Sequence, residues 1–561
     1  MKILFFIPVL FLCLEGNSQK ENIDLLVYNA AIYTVDSVFT VVEAMVIKDG
    51  KVVETGKTSE LRKKYKAKEE LNAYRHAIFP GFIDAHAHFL EYSKGFQTIN
   101  LTNTGGWETV IDYVKRFANN NKEGWLLGRG WDQNDWRVKE FPDNKQLNEL
   151  FPDRPVLLNR IDGHAAIANQ KALDIAGIKA GQTIEGGQIE TKDGQLTGLL
   201  IDNAVGLVES KIPPISNERI KKLILRAQQY CLSNGLTTVD DCGIDYKEVL
   251  HLDSLQRSGE LKMRVYAMLS DNKKNYDFAF SNGPIKTDRM TMRAFKVYAD
   301  GALGSRGACL LEPYQDKPGW SGFLLSSQAH FDSVANLLYQ HNFQMCTHAI
   351  GDSANRVILN IYAKYLKGKN DLRWRIEHAQ VVNQNDFYLF GKYNIIPSVQ
   401  PTHATSDMRW AGQRLGKERE KGAYAYKQLL DQNWWIPLGT DFPVEDISPI
   451  NTFYAAVFRK LYWTTYWSLR GTKEDDGHLG DPYMPENALT RKEAIRGMTI
   501  WAAASNFEEY EKGSLERGKW ADFIMLSDDL MTTPEDMIRS IEVVRTYIAG
   551  EKVYQRIYER K

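Results

Sequence analysis

Cysteine is scarce in this chain. The 561 residues contain five, and one of them, Cys13, lies in an N-terminal apolar run. Cys231, Cys242, Cys309 and Cys346 are widely spaced and form no CxxC pair, so a disulfide scaffold is not expected and the fold must rest on its core. An excess of one charge is also missing. Lys and Arg number 70 against 71 Asp and Glu, a net charge of -1, and no basic run is longer than scattered Lys pairs. That removes the bulk electrostatic case for binding nucleic acid or an anionic membrane. Beyond the N-terminus no stretch reaches the ~18 uncharged apolar residues that cross a bilayer, and repeats and low-complexity tracts are absent. Apolar material is plentiful: 43% hydrophobic and 11% aromatic residues, with 25% charged. A chain of this length and composition supports two to four domains with sizeable cores and is not disordered.

The N-terminus has its own texture. Lys2 precedes the apolar run ILFFIPVLFLCL, followed by Glu15, Gly16, Asn17 and Ser18. A basic start, a short apolar core and small residues before Gln19 read as a secretory signal peptide, residues 1–18, cut near Ser18–Gln19. The apolar run is too short for a membrane anchor. Leu12 is too bulky for lipoprotein processing at Cys13. The expectation is an exported protein, periplasmic or secreted, with no stable membrane insertion after cleavage.

Residues 22–60 carry β-branched runs with Asp49–Gly50 placed as a hairpin turn, and ADFIMLS and EVVRTYIAGEKVY near the C-terminus have the same texture. One small β-sandwich-like domain built from both termini is expected, covering 19–76 and 442–561, mainly 513–561, with late barrel helices. Between them, eight short apolar runs (77–83, 235–240, 263–269, 292–298, 343–348, 372–378, 395–400 and 435–441) alternate with helix-compatible sequence such as 220–233 and 330–341. Eight strand–helix units predict an α/β fold, a (β/α)8 TIM barrel over 77–90 and 216–512. Residues 91–215 are far too many for one connection. They contain strand candidates at 126–130 and 155–160, and they read as an inserted α+β domain over the barrel mouth after the first strand.

Eleven histidines are few, so their placement is informative. His86 and His88 form an HxH pair just past an apolar run; on an extended strand both face one side and can share a metal. Lys296, His348, His378 and Asp441 each fall at or near the end of a candidate strand, where the ends of a barrel's strands converge. A glycosidase on the same barrel would need paired carboxylates there, and only Asp441 and Glu377 are acidic nearby.

The motifs PGFIDAHAHF (80–89), RIDGHAAIAN (160–169), FKVYADGALGSRGA (295–308), THAIGD (347–352), RIEHAQ (375–380), QPTHATSD (400–407), LGTDFPVE (438–445) and GSLERGKWADFIML (513–526) carry a resemblance over nearly the whole chain. The sequence resembles the metal-dependent amidohydrolase superfamily, within it the YtcJ-like and N-substituted formamide deformylase-like subgroup of amidohydrolase family 3. The resemblance implies that His86, His88 and Asp441 hold one metal and His348 and His378 a second. Lys296 would be carboxylated and bridge them, or would be unmodified and paired with Asp300 beside a single metal. It implies a zinc-dependent hydrolase of carbon–nitrogen bonds other than peptide bonds, acting on small amides or N-substituted formamides. Asp441 would be general base and acid, and His403 an oxyanion or substrate donor rather than a ligand. A deacetylase, cyclic-amide hydrolase or esterase on the same fold stays open, as does, more remotely, a non-catalytic binding module.

Softer candidates are Asp84, which shares strand parity with the HxH pair, and Arg160 and His164, which would contact substrate unless Asp162 only caps a helix. Arg306 is a candidate for a substrate carboxylate. Trp131, Trp136 and Trp410 either border the mouth or fill the inserted domain's core. DGALGS lacks phosphate-loop spacing. A homodimer is the ordinary default.

Overall fold

The computed structural model describes residues 20–461 and 481–557. The signal-peptide reading of 1–18 therefore falls outside the described residues. Among those that are described, no helix is long and apolar enough to cross a membrane.

Both termini meet in a pair of sheets. Glu21–Tyr28, Ala44–Lys48, Lys51–Gly56 and Tyr65–Asn72 form a four-stranded sheet. Asp49 and Gly50 turn the hairpin with φ of 52° and 74°, the doubly positive pair that a tight two-residue turn requires. In the second sheet Ala31–Tyr33, Val41–Val42 and Ala77–Pro80 join Phe523–Leu526, Val543–Ile548 and Glu551–Gln555. The join is antiparallel, with Ile524 opposite Phe79. A core including Leu25, Val27, Met45, Ile78, Phe523 and Tyr547 packs the sheets together.

The apolar run 77–83 is thus two strands of two sheets. Ala77–Pro80 serves the terminal sheet and Phe82–Ala87 begins the barrel. Gly81 marks the break: its N–H donates to the Asp522 carbonyl at 2.9 Å, and an added Cβ would meet the Thr237 side chain at 2.3 Å.

Phe82–Ala87, Leu236–Ile244, Arg264–Ser270, Met290–Tyr298, Gln344–Ala349, Arg375–His378 and Ile396–Ser398 follow in parallel order. The eighth position is an irregular segment rather than a regular strand, yet it closes the wall. Val399 N–H donates to the Pro437 carbonyl and Gly439 N–H to Val399 on one side; Ala85 N–H donates to Leu438 and Asp441 N–H to His86 on the other. Gly439 is needed at this seam because a Cβ there would lie 2.5 Å from the His86 nitrogen. Helices such as Asn217–Ser233 and Gln328–Gln340 cover the outside.

The long interval after the first strand folds as a six-stranded mixed sheet in the order Gly187–Lys192, Gln195–Asp202, Ala165–Ala168, Val156–Arg160, Leu126–Trp131, Ile99–Asn100. Helices including Trp107–Asn120 and Gln170–Ala176 pack on it. Asp162 does not cap a helix. It accepts from the His164 N–H at 3.0 Å in a turn that leads into a strand, because the run Ala165–Ala168 is buried on both faces of the sheet.

Candidate active site

The barrel strands carry their polar ends to one crevice. His86 lies on Phe82–Ala87 and His88 one residue beyond it; Lys296 is on Met290–Tyr298, His348 on Gln344–Ala349 and His378 ends Arg375–His378. Asp441 ends the closing segment, and His403 sits in the first turn of the helix Pro401–Asp407 that follows the seventh strand. The backbone departs from strand geometry where the chemistry gathers: His378 has φ 73°, Ala379 42° and Asp441 62°. Such values in non-glycine residues cost energy and persist where the surroundings impose them.

Two groups of ligand-type side chains result, His86–His88–Asp441 and His378–His403–Asp441, with the ligand atoms of each within 4.8 Å of one another. They share Asp441. Its Oδ1 lies 3.2 Å from His88 Nε2 and 3.6 Å from His86 Nε2, and its Oδ2 lies 3.0 Å from His403 Nε2. His348 is outside both groups but borders them, its ring 4.6 Å from that of His378. Among the described residues, Asp441 Oδ1, His378 Nδ1 and His348 Nε2 are buried without a hydrogen-bond partner. Buried atoms left so are costly unless something else satisfies them, and a carboxylate oxygen with imidazole nitrogens is the donor set a divalent transition metal takes. The residues fit a metal.

Protonation agrees. Burial holds His348 and His378 well below the usual imidazole range, and burial with the neighbouring Lys296 brings His86 down to about 4; neutral imidazole is the ligating form. Against the cost of burial, the hydrogen bond from His403 and the closeness of His88 keep Asp441 well below the usual carboxylate range. His403 behaves oppositely. Burial works against its charge, but Asp441 and Glu445, 3.3 Å from Nδ1, raise it well above the usual value.

Lys296 is fully buried, with Nζ 3.1 Å from His86 Nε2 and 5.0 Å from the centre of the Tyr298 ring. Among the described residues it makes no ion pair. Asp300, the alternative partner, accepts instead from the N–H groups of Cys309 (2.8 Å), Ile350 (3.0 Å) and Gly351 (2.8 Å).

A cavity of about 1630 Å³ opens above these groups, between the barrel mouth and the inserted domain. His164 and Arg160 reach it. The His164 Nδ1 lies 2.6 Å from Asp202 Oδ1, and its ring lies 5.1 Å from that of His348. Arg160 is buried between Asp132 and Asp162, so its charge is already spent on protein carboxylates. Trp410 also lines the cavity. Trp131 does not: it is fully buried in the inserted domain's core beside Trp136, its indole N–H donating to the Leu158 carbonyl at 2.8 Å. Arg306 is likewise remote, lining a separate cleft and paired with Asp316 at 2.8 Å. A long side chain after a glycine-rich turn found a nearby carboxylate before it found the pocket.

Several contributors were not legible from spacing. Asp202 ends the strand Gln195–Asp202, which pairs beside the strand that follows His164 but lies 38 residues further along the chain. Glu377 adjoins His378, and strand alternation would send the two to opposite sides; the positive φ of His378 lets both serve the crevice. The adjacent Glu–His pair was the available sign.

The comparisons agree with this arrangement. The amidohydrolase family model matches residues 71–554. The chain is 31% identical over 552 residues to the Arabidopsis thaliana protein LONG AFTER FAR-RED 3, covering 95% of this chain and 91% of that one. It is 29% identical to YtcJ of Bacillus subtilis, over 88% of this chain and 93% of that protein. An uncharacterized metal-dependent hydrolase of Pyrococcus horikoshii superposes with a TM-score of 0.73 at 27% identity, covering 91% of this chain and 99% of that one. A family model spanning residues 71–554, the whole barrel included, together with metal-ligand groups at the strand ends, shows that this chain is a metal-dependent hydrolase of the amidohydrolase family.

Proposed function

We propose that the protein hydrolyses carbon–nitrogen bonds, other than peptide bonds, in small amides or N-substituted formamides. The observation that carries this reading is the pair of ligand groups sharing Asp441 beneath the large cavity. Its relative of Arthrobacter pascens, an N-substituted formamide deformylase 24% identical over 508 residues, supports the bond class. Two zinc ions are the proposed cofactor, with His86, His88 and Asp441 holding one and His348 and His378 the other. Lys296 is proposed to be carboxylated: a free ammonium would be repelled by bound cations, whereas its carbamate would offer two oxygen ligands of the right sign.

When bound, such ions lower the pKa of water toward ~7 and polarise a carbonyl oxygen. The chain's own groups do the rest. Asp441, held anionic, takes a proton from the attacking water and returns it to the leaving nitrogen. His403, kept protonated by Asp441 and Glu445, donates to the oxygen on which negative charge develops. His164, fixed by Asp202, holds the substrate from the inserted-domain side, with Trp410 offering an apolar face.

The test is hydrolysis of formyl-, acetyl- and aminoacyl-amides by zinc-reconstituted protein, with esters and cyclic amides in parallel. Turnover of the open-chain amides, lost on chelation, is expected; turnover of esters alone would overturn the bond class. Export is proposed as well, and the expected mature N-terminus is Gln19.

A further inference from the structure

Beneath the ligand crevice lies a fully buried chain of polar groups that the proposed reaction does not use. Glu377 Oε2 is 2.5 Å from His86 Nδ1, and both side chains are wholly inaccessible. His86 Nδ1 is the one hydrogen-bond partner of the Glu377 carboxylate among the described residues, and Oε1 has none. Behind Glu377 stands Arg375, whose Nη1 lies 3.8 Å from Glu377 Oε1 and 3.0 Å from Asp240 Oδ2 and donates to the Ala85 carbonyl at 3.3 Å. Its Nη2 donates to the Ser505 carbonyl at 3.0 Å and to the Asn506 side-chain oxygen, while Asn506 Nδ2 donates to Asp240 Oδ1 at 2.6 Å. The network therefore ties the sixth strand, the second strand and the segment after helix Ile500–Ser505 to the backbone and ring of the first metal-binding strand.

The geometry points to Glu377 as the positioning residue of the metal centre: it fixes His86 as the Nδ1–H tautomer, so that the Nε2 lone pair is aimed at the ion held with His88 and Asp441. A neutral imidazole has one N–H and one lone pair. An unsupported ring can present either nitrogen and rotate; a ring whose Nδ1–H is held by a buried carboxylate presents only Nε2, with greater basicity. Arg375 sets a permanent positive charge 3.8 Å behind the carboxylate in a dry interior. Asp240 and Asn506 in turn orient Arg375. Glu377 touches no reacting atom, so its contribution is to metal affinity and not to the chemical step.

This inference rests on the metal-dependent reading, and metal binding tests it without a substrate. Zinc affinity is measured by competition with a chromophoric chelator for the unmodified protein, Glu377→Ala and Glu377→Gln. The control is Glu508→Gln, which removes a neighbouring buried carboxylate, ion-paired with Lys512 and outside the hydrogen-bonded network of Glu377. Thermal unfolding of the chelated proteins is followed alongside. Glu377→Ala is expected to weaken the tighter zinc site by about 10–100-fold, the range for loss of a ligand's outer partner. Glu377→Gln, which keeps an acceptor but no charge, should fall between it and the unmodified protein. Glu508→Gln should lower the melting temperature and leave zinc affinity unchanged. If Glu377→Ala fails to fold, Glu377→Gln decides. Affinity within twofold of the unmodified protein in the folded Glu377 variants overturns the inference alone, as does an equal loss in Glu508→Gln. Failure of the unmodified protein to bind zinc overturns the metal-dependent reading and this inference together.

Discussion

Asp84 accepts both the backbone N–H of Thr440, at 2.9 Å, and its hydroxyl, at 2.7 Å, across the seam where the last barrel segment meets the first strand. The residue after Thr440 is Asp441, so this pair of bonds sets where the shared carboxylate stands. Replacing Asp84 with Ala takes the acceptor from three buried donors, the two of Thr440 and the His86 N–H at 3.3 Å, and each donor left unpaired costs about 1–3 kcal/mol. Lower stability is expected in chemical unfolding, together with a loss of activity larger than the folded fraction explains. Full activity in folded Asp84→Ala would show that the seam does not position Asp441.

Asp441 and His86 should separate by phenotype. Asp441→Asn is expected to lower kcat by about 10²–10⁴, the usual contribution of a positioned acid–base group, while retaining more metal than His86→Ala, since Asn still presents an oxygen. Steady-state kinetics with metal analysis on the same samples checks both. An active Asp441→Asn would remove it from the proton-transfer role.

Lys296 carries a chemical prediction. Native mass spectrometry should find the added mass of one carbon dioxide on this lysine and two metals per chain, with both lost after acidification and chelation. One metal and an unmodified lysine would leave the binuclear reading without its bridge.

The inserted domain should divide cleanly between core and pocket. Trp131→Ala empties a fully buried site and should cost about 3–5 kcal/mol of stability. His164→Ala should raise KM, because its ring faces the cavity beside His348, and should cost less stability than Trp131→Ala, about 1–3 kcal/mol for leaving the buried Asp202 carboxylate without its partner. Reversed effects would exchange the two assignments.

Glu508 predicts a pH dependence away from the metal site. Against the cost of burial, Lys512 and Lys286 bring its carboxyl from 4.5 to about 2. Between those values the unfolded chain binds the proton more readily than the folded one, so stability falls as pH falls. The contribution of the carboxylate is complete above pH 4.5 and disappears on acidification toward about 2. At about 1.4 kcal/mol per pKa unit it is on the order of 3 kcal/mol. The stability gap between the unmodified protein and Glu508→Gln should narrow from pH 5 to pH 3; a constant gap would assign it to packing.

Periodic and local features were readable in the amino-acid order. Seven of the eight barrel runs, the Asp49–Gly50 turn, the excess length after the first strand and the β texture of both ends follow from apolar alternation and turn chemistry, which act over a few residues. The HxH pair and the His, Lys and Asp at strand ends were visible for the same reason, since a barrel gathers strand ends in one place. Pairings between distant residues were not. That 77–83 is divided between two sheets depends on Asp522 and Thr237, far along the chain. Trp131 and Arg306 left the pocket because Leu158 and Asp316 satisfied them first. Asp84 with Thr440, His164 with Asp202 and His86 with Glu377 are hydrogen bonds between residues far apart in the chain, and the positive φ at His378 is one that strand alternation does not foresee. Sequence order alone determined the kind of barrel and the kind of chemistry; tertiary packing decided which side chains reach the cavity, because a buried polar group is placed by the partner that removes the cost of burying it.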